Sequence, residues 1–168
     1  MKRTRFIVGG LLCVGFIATV GMPADATTNS NQTGAACQEL FDQTSPTATH
    51  IEHDPVAVYH QDTLSHKYVT CPMTRRNTLT TTGLSGGNVY INDTSPSGTD
   101  FKCGMNSYDL FGNLVSGTGW VTSFSRHNIS LPGITSTSSG YYAIACDMPA
   151  APTSTTGPFL WSYDWYEN

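Results

Sequence analysis

Apolar and polar residues alternate with a period of two in almost every segment after residue 55, and no other feature constrains the chain as tightly. In the stretch to Cys71, Val69 and Cys71 fall on one face while Tyr68 and Thr70 fall on the other. Val89 and Ile91 alternate with Tyr90 and Asn92, and Phe101, Cys103 and Met105 with Lys102, Gly104 and Asn106. Trp120, Thr122 and Phe124 form a further set, as do Tyr142, Ile144, Cys146 and Met148; Val56, Val58 and His60 share a face of a shorter segment. A helix would need its apolar residues every three to four positions, so this spacing reads as half-buried antiparallel strands.

The breaks between these runs carry turn chemistry. Asp93 to Gly98 reads as a hairpin loop, and Gly112-Asn113 as a tight turn into Leu114-Val115. Composition agrees, with 24 Thr, 16 Ser and only 12% charged residues, against about 25% charged in ordinary domains. Strong helix formers are scarce, and only Ala36 to Asp42 leaves room for one short turn. The expected fold is all-β: an antiparallel two-sheet β-sandwich, immunoglobulin-like or jelly-roll-like, with little or no helix.

The first 26 residues read as a cleaved signal peptide. Lys2, Arg3 and Arg5 precede an apolar run from Phe6 to Met22, and Ala24-Asp25-Ala26 places cleavage before Thr27. The run is interrupted by four glycines, falls short of a full span and meets Pro23, so no membrane span is expected after cleavage. Residues 27–52 then form a loop-rich segment tied down by Cys37, and residues 53–168 the sandwich, in one domain overall. The remaining chain carries five basic and eleven acidic residues, a formal charge of −6 without clusters. That excludes the dense Lys/Arg face a nucleic acid would require.

Four cysteines remain beyond the leader: Cys37, Cys71, Cys103 and Cys146. An even count in an exported chain reads as two disulfides, and the absence of any CxxC pair disfavours zinc or redox chemistry. Cys103 and Cys146 each lie mid-strand on an apolar face, where they can meet across the core or across adjacent strands. Cys37 would then join Cys71. The order Cys103, Trp120, Tyr141-Tyr142, Cys146 is faintly similar to an immunoglobulin domain, but the cysteines stand too close together and the tyrosines too far from Cys146.

The arrangement of Cys37, Cys71-Pro72 with Arg75-Arg76, Cys103 in an alternating strand, and Tyr142-x-Ile144-x-Cys146-Asp147-Met148-Pro149 resembles a group of small uncharacterised exported bacterial proteins. Trp161-Ser162-Tyr163-Asp164 matches a short strand near their end, so the likeness covers most of residues 37–166. It implies a β-sandwich with disulfides and carries no activity with it. The acidic end at Asp164-Trp165-Tyr166-Glu167 departs from the basic residue that such proteins carry there.

Several residue groups carry chemistry in principle. Gly83-Leu84-Ser85-Gly86-Gly87 matches the G-x-S-x-G elbow, yet strand-like sequence follows where the elbow needs a helix, so it reads as a loop. His50, His53, His60 and His66 lie near Glu52, Asp54 and Asp62 but fit no metal-ligand spacing. Asn92, Asp93, Asp100 and Asp109 lack the calcium-loop pattern and read as turn caps. The three Asn-x-Ser/Thr sequons at Asn31, Asn92 and Asn128 would go unused in a bacterium. No catalytic site, metal or cofactor is expected.

Aromatic residues offer the main opening. Strict alternation puts Phe159, Trp161, Tyr163 and Trp165 on one face of a C-terminal strand, with Leu160, Ser162, Asp164 and Tyr166 on the other. Exposed, such a row would stack sugar rings, with Trp120 as a further candidate. Closing the sandwich with that strand would instead make the rings core, and the cost of exposing four aromatics favours this. The expected function is a secreted, extracellular or periplasmic, non-enzymatic module that binds a glycan or protein at the cell surface. Alternatives are a carbohydrate-binding module built on Trp120, Trp161, Tyr163 and Trp165, or a small hydrolase or metal-binding protein.

Overall fold

A computed structural model describes residues 28–39, 51–75, 83–94, 100–123, 127–137, 139–153 and 155–167. The expected signal peptide, His50, Phe124 and the centre of the Asp93–Gly98 loop lie outside them.

Among the described residues, twelve strands form two antiparallel sheets: β1 (Thr28–Thr33), β2 (Gln38–Glu39), β3 (Ile51–His53), β4 (Val58–His60), β5 (Lys67–Met73), β6 (Leu84–Asn92), β7 (Lys102–Tyr108), β8 (Leu114–Gly117), β9 (Val121–Thr122), β10 (Asn128–Ile134), β11 (Tyr141–Met148) and β12 (Phe159–Glu167). The first sheet runs β10-β6-β12-β4-β3, with β1 on the same edge of β12 as β4. The second runs β2-β5-β11-β7-β8, and β9 shares with β8 the outer edge of β7. Among the described residues the one helical segment is a 3-10 turn at Gly34–Ala36. The fold is therefore the all-β, two-sheet architecture that the alternation implied.

Period-two burial is the physical basis of both sheets. Val69, Cys71 and Met73 of β5, Cys103 and Met105 of β7, and Ile144 and Cys146 of β11 face inward from the second sheet. Val89, Ile91, Leu160, Tyr163 and Trp165 meet them from the first, in one continuous buried cluster. Transfer of that apolar surface out of water is the main term holding the sheets together.

Both disulfides lie inside the second sheet. Cys103 is directly opposite Cys146 in the β7–β11 ladder. Cys37 precedes β2, whose Gln38 pairs with Thr70, and so faces Cys71 on β5. The pairing is the one deduced from mid-strand position. It differs from the immunoglobulin arrangement, in which the bridge joins the two sheets.

Two local expectations change. The segment from Asp93 does not close a hairpin, because β6 and β7 on either side belong to different sheets; it is a crossover. Asp93 Oδ2 fixes its return by accepting the backbone N–H groups of Asp100 and Phe101 at 3.0 and 3.2 Å. The N-terminal segment, expected to be loop-rich, contributes six residues of ladder: β1 pairs with β12 from Thr28↔Glu167 to Thr33↔Ser162. Its Thr, Asn, Ser and Gln residues carry no apolar alternation, so the strand rests on backbone bonds to an otherwise open edge. The turn at Gly112-Asn113 is as expected: Gly112 has φ of 84°, and Asp109 caps it by accepting the N–H groups of Phe111 and Asn113.

Candidate functional site

Strand β12 is where alternation and structure part company. Leu160 pairs with Ile91 and faces the core, but the next register pair is Ser162↔Tyr90, so Trp161 is an extra residue in a β-bulge. Leu160, Tyr163 and Trp165 are all buried at 1% exposure or less, whereas Trp161 is 51% exposed. Strict alternation would have buried either Leu160 or the pair Tyr163 and Trp165, never all three. The bulge resolves that conflict by slipping the phase once. The aromatic row is consequently divided, with Phe159 and Trp161 turned out and Tyr163 and Trp165 in the core.

The buried half is tied to the opposite sheet. The Tyr163 hydroxyl lies 2.6 Å from the Pro72 carbonyl oxygen and 2.5 Å from Gln32 Oε1. Burial pushes its phenol well above the ordinary pKa, so it remains a neutral donor. Tyr163 and Trp165 are packed at 5.9 Å between ring centroids, and neither is accessible to a ligand.

The outward half forms a line of rings on the outside of the first sheet, with Trp161 exposed and Tyr59 and Phe159 half-buried. Tyr59 of β4 pairs with Phe159 and packs on it at 5.1 Å, and Phe159 packs on Trp161 at 5.1 Å. Beside the indole is a concavity of about 420 Å³ lined by Tyr90, Ile91, Asn92, His127, Trp161 and Ser162, a volume within the range of small-ligand sites. Its polar atoms are an amide, hydroxyls and an imidazole. Among the described residues no carboxylate or ammonium lines it.

A hydrogen-bond network holds this face rigid. The Tyr90 hydroxyl donates to Asp164 Oδ2 at 3.0 Å, and Asn88 Nδ2 donates to Asp164 Oδ1 at 3.0 Å and to the Tyr166 hydroxyl oxygen at 2.8 Å. Ser130 Oγ donates to Asn88 Oδ1 at 2.9 Å. The bond to Asp164, followed by partial burial, raises the Tyr90 pKa, so the ring stays neutral and fixed. Tyr90, held in this way, would meet a ligand with little ordering cost of its own.

The other sequence candidates are dispersed. Trp120 is 54% exposed but stands outside the second sheet, tilted against Tyr68 at 6.1 Å. Ser85 lies within β6 with strand on both sides, and its hydroxyl donates to the Tyr166 carbonyl at 3.2 Å. His60 is buried with Nδ1 2.7 Å from the Pro149 carbonyl oxygen, while His66 pairs with Asp147 at 2.9 Å. Among the described residues no three His, Cys, Asp or Glu side chains gather in a way that could hold a metal ion. Asp93 and Asp109 each cap a separate turn.

Tyr59, Tyr90 and His127 are absent from the sequence candidates, and Asn92 stands among them only as a calcium ligand or turn cap. Tyr90 and Asn92 alternate outward from Val89 and Ile91 and were legible as surface residues. Nothing in the sequence places Tyr59 or His127 beside Trp161. Compared with known proteins, the chain matches no protein family, no curated protein and no solved structure.

Proposed function

We propose that this protein is an exported, non-enzymatic β-sandwich module that binds a neutral glycan on the outer face of its first sheet. The observation carrying this reading is the line Tyr59–Phe159–Trp161 beside an uncharged, amide- and hydroxyl-lined concavity. A sugar ring has one apolar C–H face and a rim of hydroxyls. An exposed indole offers a surface for the face, and Asn92, Ser162, Tyr90 and His127 offer donors and acceptors for the rim.

Export is supported by the basic-apolar-small pattern of residues 1–26 and by two disulfides, which persist in oxidising compartments. No helix among the described residues is long and apolar enough to cross a membrane. An extracellular or periplasmic module of a bacterium fits both, as does the group of exported proteins that the cysteine layout resembles.

Affinity electrophoresis through gels containing neutral glucans, mannans or xylans tests the reading. The protein should be retarded by at least one of them, and Trp161→Ala should weaken retardation at least about tenfold. Near-ultraviolet circular dichroism would check that the variant keeps its core. No retardation by any polysaccharide, or equal retardation of the Trp161→Ala variant, would overturn it.

A further inference from the structure

The outer face of the second sheet is shaped quite differently from that of the first. Its central strand β11 turns Tyr141, Ala143 and Ala145 outward, and Ala145 pairs with Gly104 on one side and Thr70 on the other. The smallest side chains of the sheet thus meet in the middle, and larger ones stand at the two ends. At one end Tyr108 and Tyr141 are stacked at 5.1 Å; at the other Tyr68 and Trp120 meet at 6.1 Å. Tyr68 pairs with Asp147 and Tyr108 with Tyr141, so the two ring pairs are separated by six residues of β11, or about 20 Å along the strand.

Two concavities open on this floor. One of about 170 Å³ is lined by Gly104, Asn106, Gly119, Trp120 and Ala145. The other, of about 260 Å³, is lined by Gln38, Thr70, Pro72, Tyr141 and Ala143, with the Tyr142 backbone between them. Among the described residues the lining of both is uncharged: two amides, a hydroxyl and aromatic rings.

The exposure of Trp120 is imposed by the backbone. The chain passes from β8 to β9 over Gly104, where a Cβ would lie 2.6 Å from the Gly119 carbonyl oxygen, and turns at Gly119 with φ of 67°. Thr118 bridges the gap in the ladder: its N–H donates to the Met105 carbonyl at 3.0 Å and its Oγ1 accepts the Met105 N–H at 3.0 Å. The same hydroxyl donates to the Gly119 carbonyl at 2.7 Å. Holding an indole half in water opposes the hydrophobic effect, and here a glycine, a left-handed turn and three hydrogen bonds are arranged to do so.

We infer that this trough is a second glycan-binding site, on the opposite face of the sandwich from Trp161, and that it takes a neutral oligosaccharide several rings long. Its rings, amides and hydroxyl suit a polyol, and where charge stands on this face, at the Tyr68 end, Asp147 lies opposite Lys102 and the two offset, which suits neither a nucleic acid nor an anionic lipid surface. Being built on the second sheet, the site stands whether or not the first face binds sugar. With both faces occupied the module is bivalent and joins two polysaccharide chains.

The test uses the full chain without its leader, in gels of the same neutral polysaccharides, with Trp120→Ala, Trp161→Ala and the double variant. Ala145→Leu, which fills the floor of the trough and leaves Trp120 in place, serves as a second probe. Each single tryptophan variant should retain part of the retardation, and the double variant none. The unaltered protein should cross-link soluble polysaccharide, detected by light scattering, and both single variants should fail to do so. Retardation lost on Trp161→Ala but untouched by Trp120→Ala and Ala145→Leu overturns the second site alone. Retardation lost with Trp120→Ala and untouched by Trp161→Ala supports the trough and overturns the first face. Retardation of no species in any gel, or capture of peptides in place of glycans, overturns the trough.

Discussion

The guanidinium of Arg75 stands 3.8 Å from the carboxylate of Glu167, with side chains only 5% and 2% exposed. Arg75 follows the end of β5 in the second sheet and Glu167 ends β12 in the first, so the ion pair closes one end of the sandwich. Arg75 also donates to the carbonyls of Thr137 and Gly140 and lies 5.4 Å from the Tyr142 ring centroid. Glu167 gives the acidic C-terminal end a structural partner that no local pattern indicated.

Removing one member of this pair should cost far more than removing both. Arg75→Met removes the guanidinium from beside a buried carboxylate and is expected to destabilise by about 3–5 kcal/mol. The double variant Arg75→Met/Glu167→Leu should recover a good part of that loss, leaving the missing bonds to Thr137 and Gly140. Urea unfolding of the four species of the cycle measures the coupling, and additive losses would contradict it.

The two bridges close loops with sequence separations of 34 and 43. Chain entropy assigns each a contribution of about 4 kcal/mol. Cys103→Ala/Cys146→Ala and Cys37→Ala/Cys71→Ala should therefore each lower unfolding stability by a similar amount. A non-reducing peptide map should show only the 37–71 and 103–146 links, and any crossed link would refute the pairing.

His60 makes stability depend on pH. Its ring is buried, its Nδ1–H donates to the Pro149 carbonyl, and Nε2 has no hydrogen-bond partner among the described residues. Burial lowers its pKa below the usual value, with the Pro149 bond opposing; Asp62 raises it, while Lys67 and His66 add to the lowering. Because the unfolded chain binds the proton more readily, the stabilising contribution is complete above about pH 6.5 and is lost as pH falls toward the folded-state pKa. Thermal midpoints should decline across that window as unfolding free energy falls by at most about 1.4 kcal/mol per pH unit. His60→Asn should flatten the decline, and an unchanged slope in the variant would assign it elsewhere.

Two glycines should respond to alanine for different reasons. At Gly34 a Cβ would lie 1.9 Å from the Leu160 carbonyl oxygen, so backbone must move and a loss of about 3 kcal/mol or more is expected. At Gly119 nothing lies within 4 Å, but φ is 67°, so strain alone should cost about 1 kcal/mol. Unfolding midpoints compare the two, and equal losses would show that crowding at Gly34 is relieved cheaply.

Much of the second sheet was legible before any coordinates. β5, β7 and β11 each alternate cleanly, and their cysteines fall on the apolar face, which is why the bridges could be paired. The first sheet was less so. β1 has no apolar residue to mark a buried face, and the crossover after Asp93 carries the same turn residues that a hairpin would. Of the candidate site, Trp161 was identified, but with two companions that prove to be core and without Tyr59, Tyr90 and His127, which lie far from it in the chain.

The sequence by itself determined that the alternating segments after residue 55 are strands and, for most of them, which face is buried, because side-chain alternation is a local property of extended backbone; it marked neither β1 nor β10. Sheet membership, register and the bulge at Trp161 were decided only in the tertiary structure. They depend on what each strand meets across the core: Leu160, Tyr163 and Trp165 can all be buried together only if one residue is left out of step. That residue is Trp161, placed in solvent because Leu160 before it and Tyr163 and Trp165 after it all face the core.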